Sequence, residues 1–169
     1  GHTWGSTYLE VHRTLNEFGC FATITPGVIF HNTLASSDYG YLQHGTFDPR
    51  PSYFATVLWN QLMGETVYDS GEAIREGAHV FAHSRKDGKD GIAYLVINNS
   101  KTETTTVELP KEAEVYRLDG NGDMRSSVMY LNGKALVLGE NDELPVMSGE
   151  ITPAGTMKIA PGTCVFITI

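Results

Sequence analysis

Three sets of residues in this chain have types and spacings from which chemistry could be built: a histidine pair, an acidic turn and a pair of cysteines. His79 and His83 stand four apart. On a helix that interval brings two imidazoles to one metal, but His79-Val-Phe-Ala-His83 reads as a strand, where the two share a face with no third ligand in view. They are read as strand packing. Asp119-Gly-Asn-Gly-Asp123 has the rhythm of a calcium loop, yet no Glu follows at the twelfth position and no helices flank it, so it reads as a turn. Cys20 and Cys164 lie near opposite ends without Cys-x-x-Cys or Cys/His spacing, so neither a zinc site nor a disulfide framework is indicated. No metal and no cofactor is expected. Asp38 is the most tempting single acid, and no credible second carboxylate accompanies it to make a catalytic pair.

The elements that must position these residues fall into two kinds. With 169 residues and 41% of them hydrophobic, the chain can bury a core, and disorder is excluded. The net charge of −8, with no Lys/Arg cluster, argues against a nucleic-acid partner. No apolar run approaches the roughly 18 residues a membrane span needs, and GHTWGSTYLE lacks the basic and apolar regions of a signal peptide. A soluble chain is expected.

Before Ser70 the pattern is helical. Trp4, Tyr8, Val11, Leu15 and Phe18 form one stripe, Thr7-Tyr-Leu-Glu10 fits a capping box, and Gly19 is expected to end the helix. Val28-Ile-Phe30 reads as a short strand buried on both faces. A loop from Asn32 to Pro51 follows. Pro51 opens a second helix that ends just before Gly64, with so little polar face that it must pack on two sides. From Ala78 the pattern turns to short strands, expected at Ala78–Ser84, Ile92–Asn98, Thr104–Leu109, Glu114–Leu118, Val128–Leu131, Lys134–Leu138, Thr156–Ile159 and Cys164–Thr168. Asn132-Gly133 and Pro161-Gly162 mark tight reversals. This half reads as an antiparallel β-sandwich.

A helix, a buried strand, a loop and another helix make one unit of an α/β architecture, and one unit cannot close its own sheet. Residues 1–70 are therefore expected to be the incomplete end of a larger sheet or barrel, and residues 71–169 the sandwich. A complete eight-fold barrel takes about 250 residues, more than this chain holds. If the unit closes a barrel, the loop after Val28–Phe30 lies at the edge where barrels carry their chemistry.

Within and after that loop, Asp38-Tyr-Gly40, Asp48-Pro-Arg-Pro-Ser-Tyr-Phe54 and Leu58-Trp-Asn-Gln-Leu-Met-Gly64 appear in order. Val80-Phe-Ala-His83, Leu95-Val-Ile-Asn98, Tyr130-Leu-Asn-Gly133 and Leu144-Pro145 follow. In this order the chain resembles the C-terminal portion of heparanase-like glycoside hydrolases, family 79. The resemblance implies an α+β fragment: the last helix-strand-helix of a (β/α)8 TIM barrel followed by an antiparallel β-sandwich domain. It implies β-glucuronide hydrolysis with retention by two glutamates, both on an N-terminal portion preceding Gly1, so that no catalytic residue lies in this chain. It further implies a uronic-acid-containing glycan or glycoside as substrate, and secretion or a periplasmic location.

By the same resemblance, Tyr39 matches the tyrosine that hydrogen-bonds the uronic acid. A phenol on such a loop offers a donor to a carboxylate and a flat apolar wall. Gly40 lets backbone approach closely. Ser37 and Asp38 depart from the glycine and asparagine of several members. Asp38 would repel a uronate, and retention needs two carboxyls about 5–5.5 Å apart, so an Asx-turn is its expected role. Asn32 can donate to a sugar hydroxyl or satisfy backbone at the strand end; both readings stand. Gly1 matches a glycine whose amide faces the uronate. Ser84 replaces the family cysteine that pairs across the sandwich, leaving Cys164 as a small core residue.

Two other readings stay open. One is a non-catalytic carbohydrate-binding or structural module; the other is a related barrel-plus-sandwich hydrolase of neutral sugars, which would not need Tyr39. Burial of Phe54 and Trp59 within the chain would favour the module. The loop offers only Arg50 against Asp38 and Asp48, so exo-acting hydrolysis of small or weakly charged glucuronides is expected over internal cleavage of sulfated polymers.

Overall fold

The computed structural model describes residues 4–72 and 77–169, a mixed α/β arrangement with two helices and antiparallel sheets. The helices are α1 (Tyr8–Ile24) and α2 (Pro51–Leu62). The strands are β1 (Met63–Tyr68), β2 (Ala78–Arg85), β3 (Ile92–Asn98), β4 (Thr105–Leu109), β5 (Ala113–Asp119), β6 (Tyr130–Leu131), β7 (Lys134–Ala135), β8 (Glu150–Thr152), β9 (Gly155–Ile159) and β10 (Cys164–Thr168). The chain divides into two compact units. One joins the chain up to Leu58 to Asp119–Met147, and the other joins Trp59–Leu118 to Ser148–Ile169.

In the first unit α1 buries Tyr8, Val11 and Leu15 completely, the centre of the stripe its sequence shows. Its start differs from the expected capping box. The Thr7 hydroxyl donates back to Trp4 O at 2.7 Å, and Glu10 pairs with Arg13, so neither side chain caps the helix. The backbone compensates, Tyr8 N–H donating to Ser126 O at 2.8 Å. Gly19 does not end the helix either. A stop at glycine needs a left-handed φ, which Gly19 lacks; inside a helix it costs only about 1 kcal/mol, and here it is buried while the helix runs on to Ile24.

Val28–Phe30 is not a buried strand. It is irregular, and Val28 and Phe30 are 77% and 88% exposed. A strand exists only through backbone partners, and among the described residues none pairs with this segment. The loop that follows is irregular except for one bridge between Leu42 and Pro49. Farther along, Asn132 and Gly133, both at positive φ, form the expected two-residue turn between β6 and β7, which are shorter than their apolar runs. At Asp119–Asp123 the Asp119 carboxylate accepts from Asn121 N–H at 2.7 Å, so this is a turn.

In the second unit β1-β2-β3-β10-β5 are antiparallel neighbours and β8 adds to β5. β4 and β9 pair separately. Val107, Leu109, Met157 and Ile159 of that small sheet share one core with Val96, Val115, Val165 and Ile167 of the larger one. The register places Phe81, Leu95 and Phe166 on the opposite face, and they are buried too. Both faces of the sheet are therefore dry at its centre, and β10 is buried at every position, while β1 and β8 at the margins carry exposed residues. β1 and β8 were not expected, because Gly64-Glu-Thr66 and Glu150-Ile-Thr152 lack the alternation of a half-buried strand.

Candidate functional site

The loop from His31 to Arg50 holds Tyr39 by its backbone and leaves its ring outward, 40% exposed. Tyr39 N–H donates to Ser37 Oγ at 3.3 Å, and its carbonyl accepts from His31 Nε2 at 3.1 Å. Because a carbonyl can only accept, that bond assigns the His31 proton to Nε2. The same imidazole stacks on Tyr41 with centroids 4.1 Å apart and meets Tyr39 edge-on at 6.4 Å. The phenol hydroxyl has no hydrogen-bond partner among the described residues and is free to donate outward.

Arg50, between two prolines at the start of α2, closes the loop from below. It is 5% exposed. Nη1 donates to Ser37 O at 3.0 Å and Gly40 O at 2.8 Å, while Nε and Nη2 donate to Gln43 Oε1 at 3.3 and 3.1 Å. Burial pulls the guanidinium below its ordinary pKa, opposed by the charge of Asp38, and it remains a cation. An open cleft of about 530 Å³ is lined by Gln43, Asp48 and Arg50 together with Val128, Leu136 and Asp142.

The residues picked from the sequence fall as follows. Tyr39, Gly40 and Ser37 are brought together in one turn; Asn32 is solvent-exposed on the same loop. Gly40 is buried, and a Cβ there would come within 2.9 Å of Leu34 O and 3.2 Å of Thr33 O, so the close approach its lack of a side chain permits is to its own loop. Ser37 Oγ is engaged with Tyr39 N–H, and this serine turn, in place of the expected Asx-turn at Asp38, shapes the bend. Gly1 lies outside the described residues. Gly5, which its sequence does not single out, would place a Cβ 2.9 Å from Asp38 O, so the approach to α1 also seats the loop.

His31, Gln43 and Arg50 were missed as loop supports. Arg50 did carry a signal: a lone cation in a polar loop, flanked by prolines that fix its backbone. Nothing in its spacing named carbonyls as its partners.

The histidine pair behaves as packing. His83 is buried, its Nδ1 donates to Gly64 O at 2.8 Å, and its ring meets Trp59 edge-on at 5.1 Å. Burial lowers the pKa of both His79 and His83, so the neutral forms prevail. Among the described residues no three His, Cys, Asp or Glu gather as metal ligands. Cys164 is fully buried and in no disulfide among the described residues. Among the described residues no helix is long and apolar enough to cross a membrane.

No family model matches the chain. It is 27% identical to baicalin-β-D-glucuronidase of Scutellaria baicalensis, over 96% of this chain and 32% of that protein. It is 25% identical to heparanase-like protein 1 of Arabidopsis thaliana, over 100% of this chain and 38% of that protein. The chain thus spans about a third of the length of these curated relatives. Among solved structures, a 4-O-α-L-rhamnosyl-β-D-glucuronidase from Fusarium oxysporum 12S superposes with a TM-score of 0.71 at 13% identity, over 100% of this chain and 40% of that one. That likeness is one of fold, shared with glycoside hydrolases.

Proposed function

We propose that this chain is the C-terminal part of a retaining glycoside hydrolase that removes terminal β-glucuronic acid, with both catalytic glutamates on an N-terminal portion. In this reading residues 1–70 close a (β/α)8 barrel and residues 71–169 form its β-sandwich. Tyr39 donates its phenol proton to the uronate carboxylate, and Asn32 meets a sugar hydroxyl. The enzyme works outside the cytoplasm, secreted or periplasmic. The glutamates perform the two displacements of retention.

The observation that carries this reading is a phenol held outward by a fully bonded backbone, in a chain similar along its length to glucuronidases three times as long. The exposed Val28–Phe30 segment supports an incomplete sheet, since three apolar residues in a row facing water need a cover. Burial of Phe54 favours the non-catalytic module instead, although Trp59 is only half-buried.

The purified chain is assayed on a chromogenic β-glucuronide alone and after joining to the N-terminal portion. Turnover is expected only in the complete enzyme. There, Tyr39→Phe lowers turnover of the glucuronide far more than that of the matching glucoside, because a hydrogen bond to a charged group is worth about 1.5–3 kcal/mol. Turnover by the chain alone, or equal losses on both substrates, would sink the proposal. Heparan sulfate incubated with the complete enzyme should keep its length; rapid shortening would replace the exo mode with internal cleavage.

A further inference from the structure

We propose that Arg50 is a positioning residue for uronate recognition: its buried guanidinium aims Tyr39 by clamping the carbonyls on either side of it. The inference rests on the reading of Tyr39 above and extends it to a side chain that does not reach the substrate itself. Three features carry it. Arg50 is almost fully buried, yet its bonds go to backbone carbonyls and an amide, with no carboxylate within ion-pair distance among the described residues. Burying a cation among neutral acceptors is expensive, and the charge of Asp38 offsets only part of that cost, so the four bonds to Ser37, Gly40 and Gln43 are what hold it there. The carbonyls it holds belong to Ser37 and Gly40, the two that bracket Asp38 and Tyr39 in sequence.

Peptide planarity then transmits the clamp. Among the described residues no peptide is cis, so turning the Ser37 oxygen inward turns the Asp38 N–H away from Arg50, and turning the Gly40 oxygen inward does the same to the Tyr41 N–H. With Tyr39 itself bonded at both its N–H and its C=O, little backbone freedom is left in the turn, which fixes the Cα–Cβ direction from which the phenol extends. Such pre-organisation lets the hydroxyl meet a carboxylate without first ordering the loop. The guanidinium also leaves a positive charge beneath the turn, on the side opposite the outward N–H groups. Asp38, whose charge acts on the same guanidinium, offsets it, so the selectivity expected here comes from the aim of the phenol rather than from the field of Arg50. Lysine cannot reproduce this arrangement, because an ammonium in the place of Nη1 lacks the two further donors, Nε and Nη2, that lock the plane onto Gln43 Oε1.

The test uses the complete enzyme carrying Arg50→Lys, Tyr39→Phe or both, with kcat/KM measured on a β-glucuronide and the matching β-glucoside. Amide hydrogen exchange is followed over residues 37–43 and over β10. Arg50→Lys is expected to lower the glucuronide value about ten-fold and the glucoside value less than about three-fold, as the weakening of one charge-assisted hydrogen bond to the substrate would do. In the Tyr39→Phe background the added loss should largely vanish, since the residue being aimed no longer has its hydroxyl. Exchange should quicken at 37–43 and stay unchanged in β10. Equal losses on both substrates, full additivity with Tyr39→Phe, or unchanged exchange at 37–43 would each overturn the proposal. If the unmodified enzyme does not turn over the glucuronide, the reading of Tyr39 fails, and the exchange measurement still decides whether Arg50 holds the turn. Should Arg50→Lys not fold, Gln43→Met removes one acceptor from the same guanidinium and is judged by the same readouts, with a smaller effect.

Discussion

The larger sheet of the second unit and the loop around Tyr39 hold their side chains by opposite means. In the sheet, Phe166 is fixed by regular backbone ladders on two sides and by apolar residues around it, and no single bond matters much. In the loop, the ladder is reduced to one bridge, and Tyr39 is fixed by a handful of bonds from Ser37, His31 and Arg50. The sheet therefore resists change through many small terms, whereas the loop concentrates its order in a few polar contacts. Binding residues commonly sit on loops of this second kind, where a side chain can face outward while its backbone is held.

That contrast can be broken most severely in the sheet. Phe166→Ala should destabilise the chain by about 3–5 kcal/mol in denaturant unfolding, the range for a fully buried aromatic cut to a methyl group. A loss below about 1 kcal/mol would mean that β10 tolerates a cavity and is less tightly packed than its burial indicates.

A smaller effect is expected on acidification. His79 and His83 are held neutral by burial, so below the ordinary histidine value of about 6.5 the unfolded chain binds protons that the folded chain refuses. Their contribution to stability is full above that value and disappears as pH falls through it towards the lower folded values. Thermal unfolding across this window should show a falling midpoint for the unmodified chain and a shallower fall for His83→Gln. An unchanged slope would place His83 among exposed histidines.

In the loop, Ser37→Ala removes the hydroxyl that accepts from Tyr39 N–H, a single neutral bond worth about 0.5–1.5 kcal/mol. Its signature should be local, with faster exchange at Tyr39 and little movement of the unfolding midpoint. The smallest effect belongs to Phe30→Ser. At 88% exposure its loss should change the stability of this chain by no more than about 0.5 kcal/mol. In the longer protein proposed above, the same substitution should be clearly destabilising if Val28–Phe30 pairs there; near-neutrality in both settings would leave this apolar segment without a structural role.

The amino-acid sequence by itself determined most of the β-rich part. β3 and β10 lie where their β-branched runs begin and end, and Asn132-Gly133 turns where such a pair must, because these signals act within a few residues. The α1 stripe and the proline that opens α2 were legible for the same reason. The resemblance around Tyr39 made its loop a candidate for binding, which remains a proposal. Tertiary structure alone decided the rest. Gly19 continues a helix because its flank is buried, and Val28–Phe30 is no strand here because pairing depends on another segment's backbone. Arg50 became the clamp of the Tyr39 turn because bonds across ten and thirteen residues of chain bring Gly40 O and Ser37 O to it. A guanidinium's choice of acceptor is set by which carbonyls the folded chain turns inward, and carbonyl direction leaves no trace in residue type.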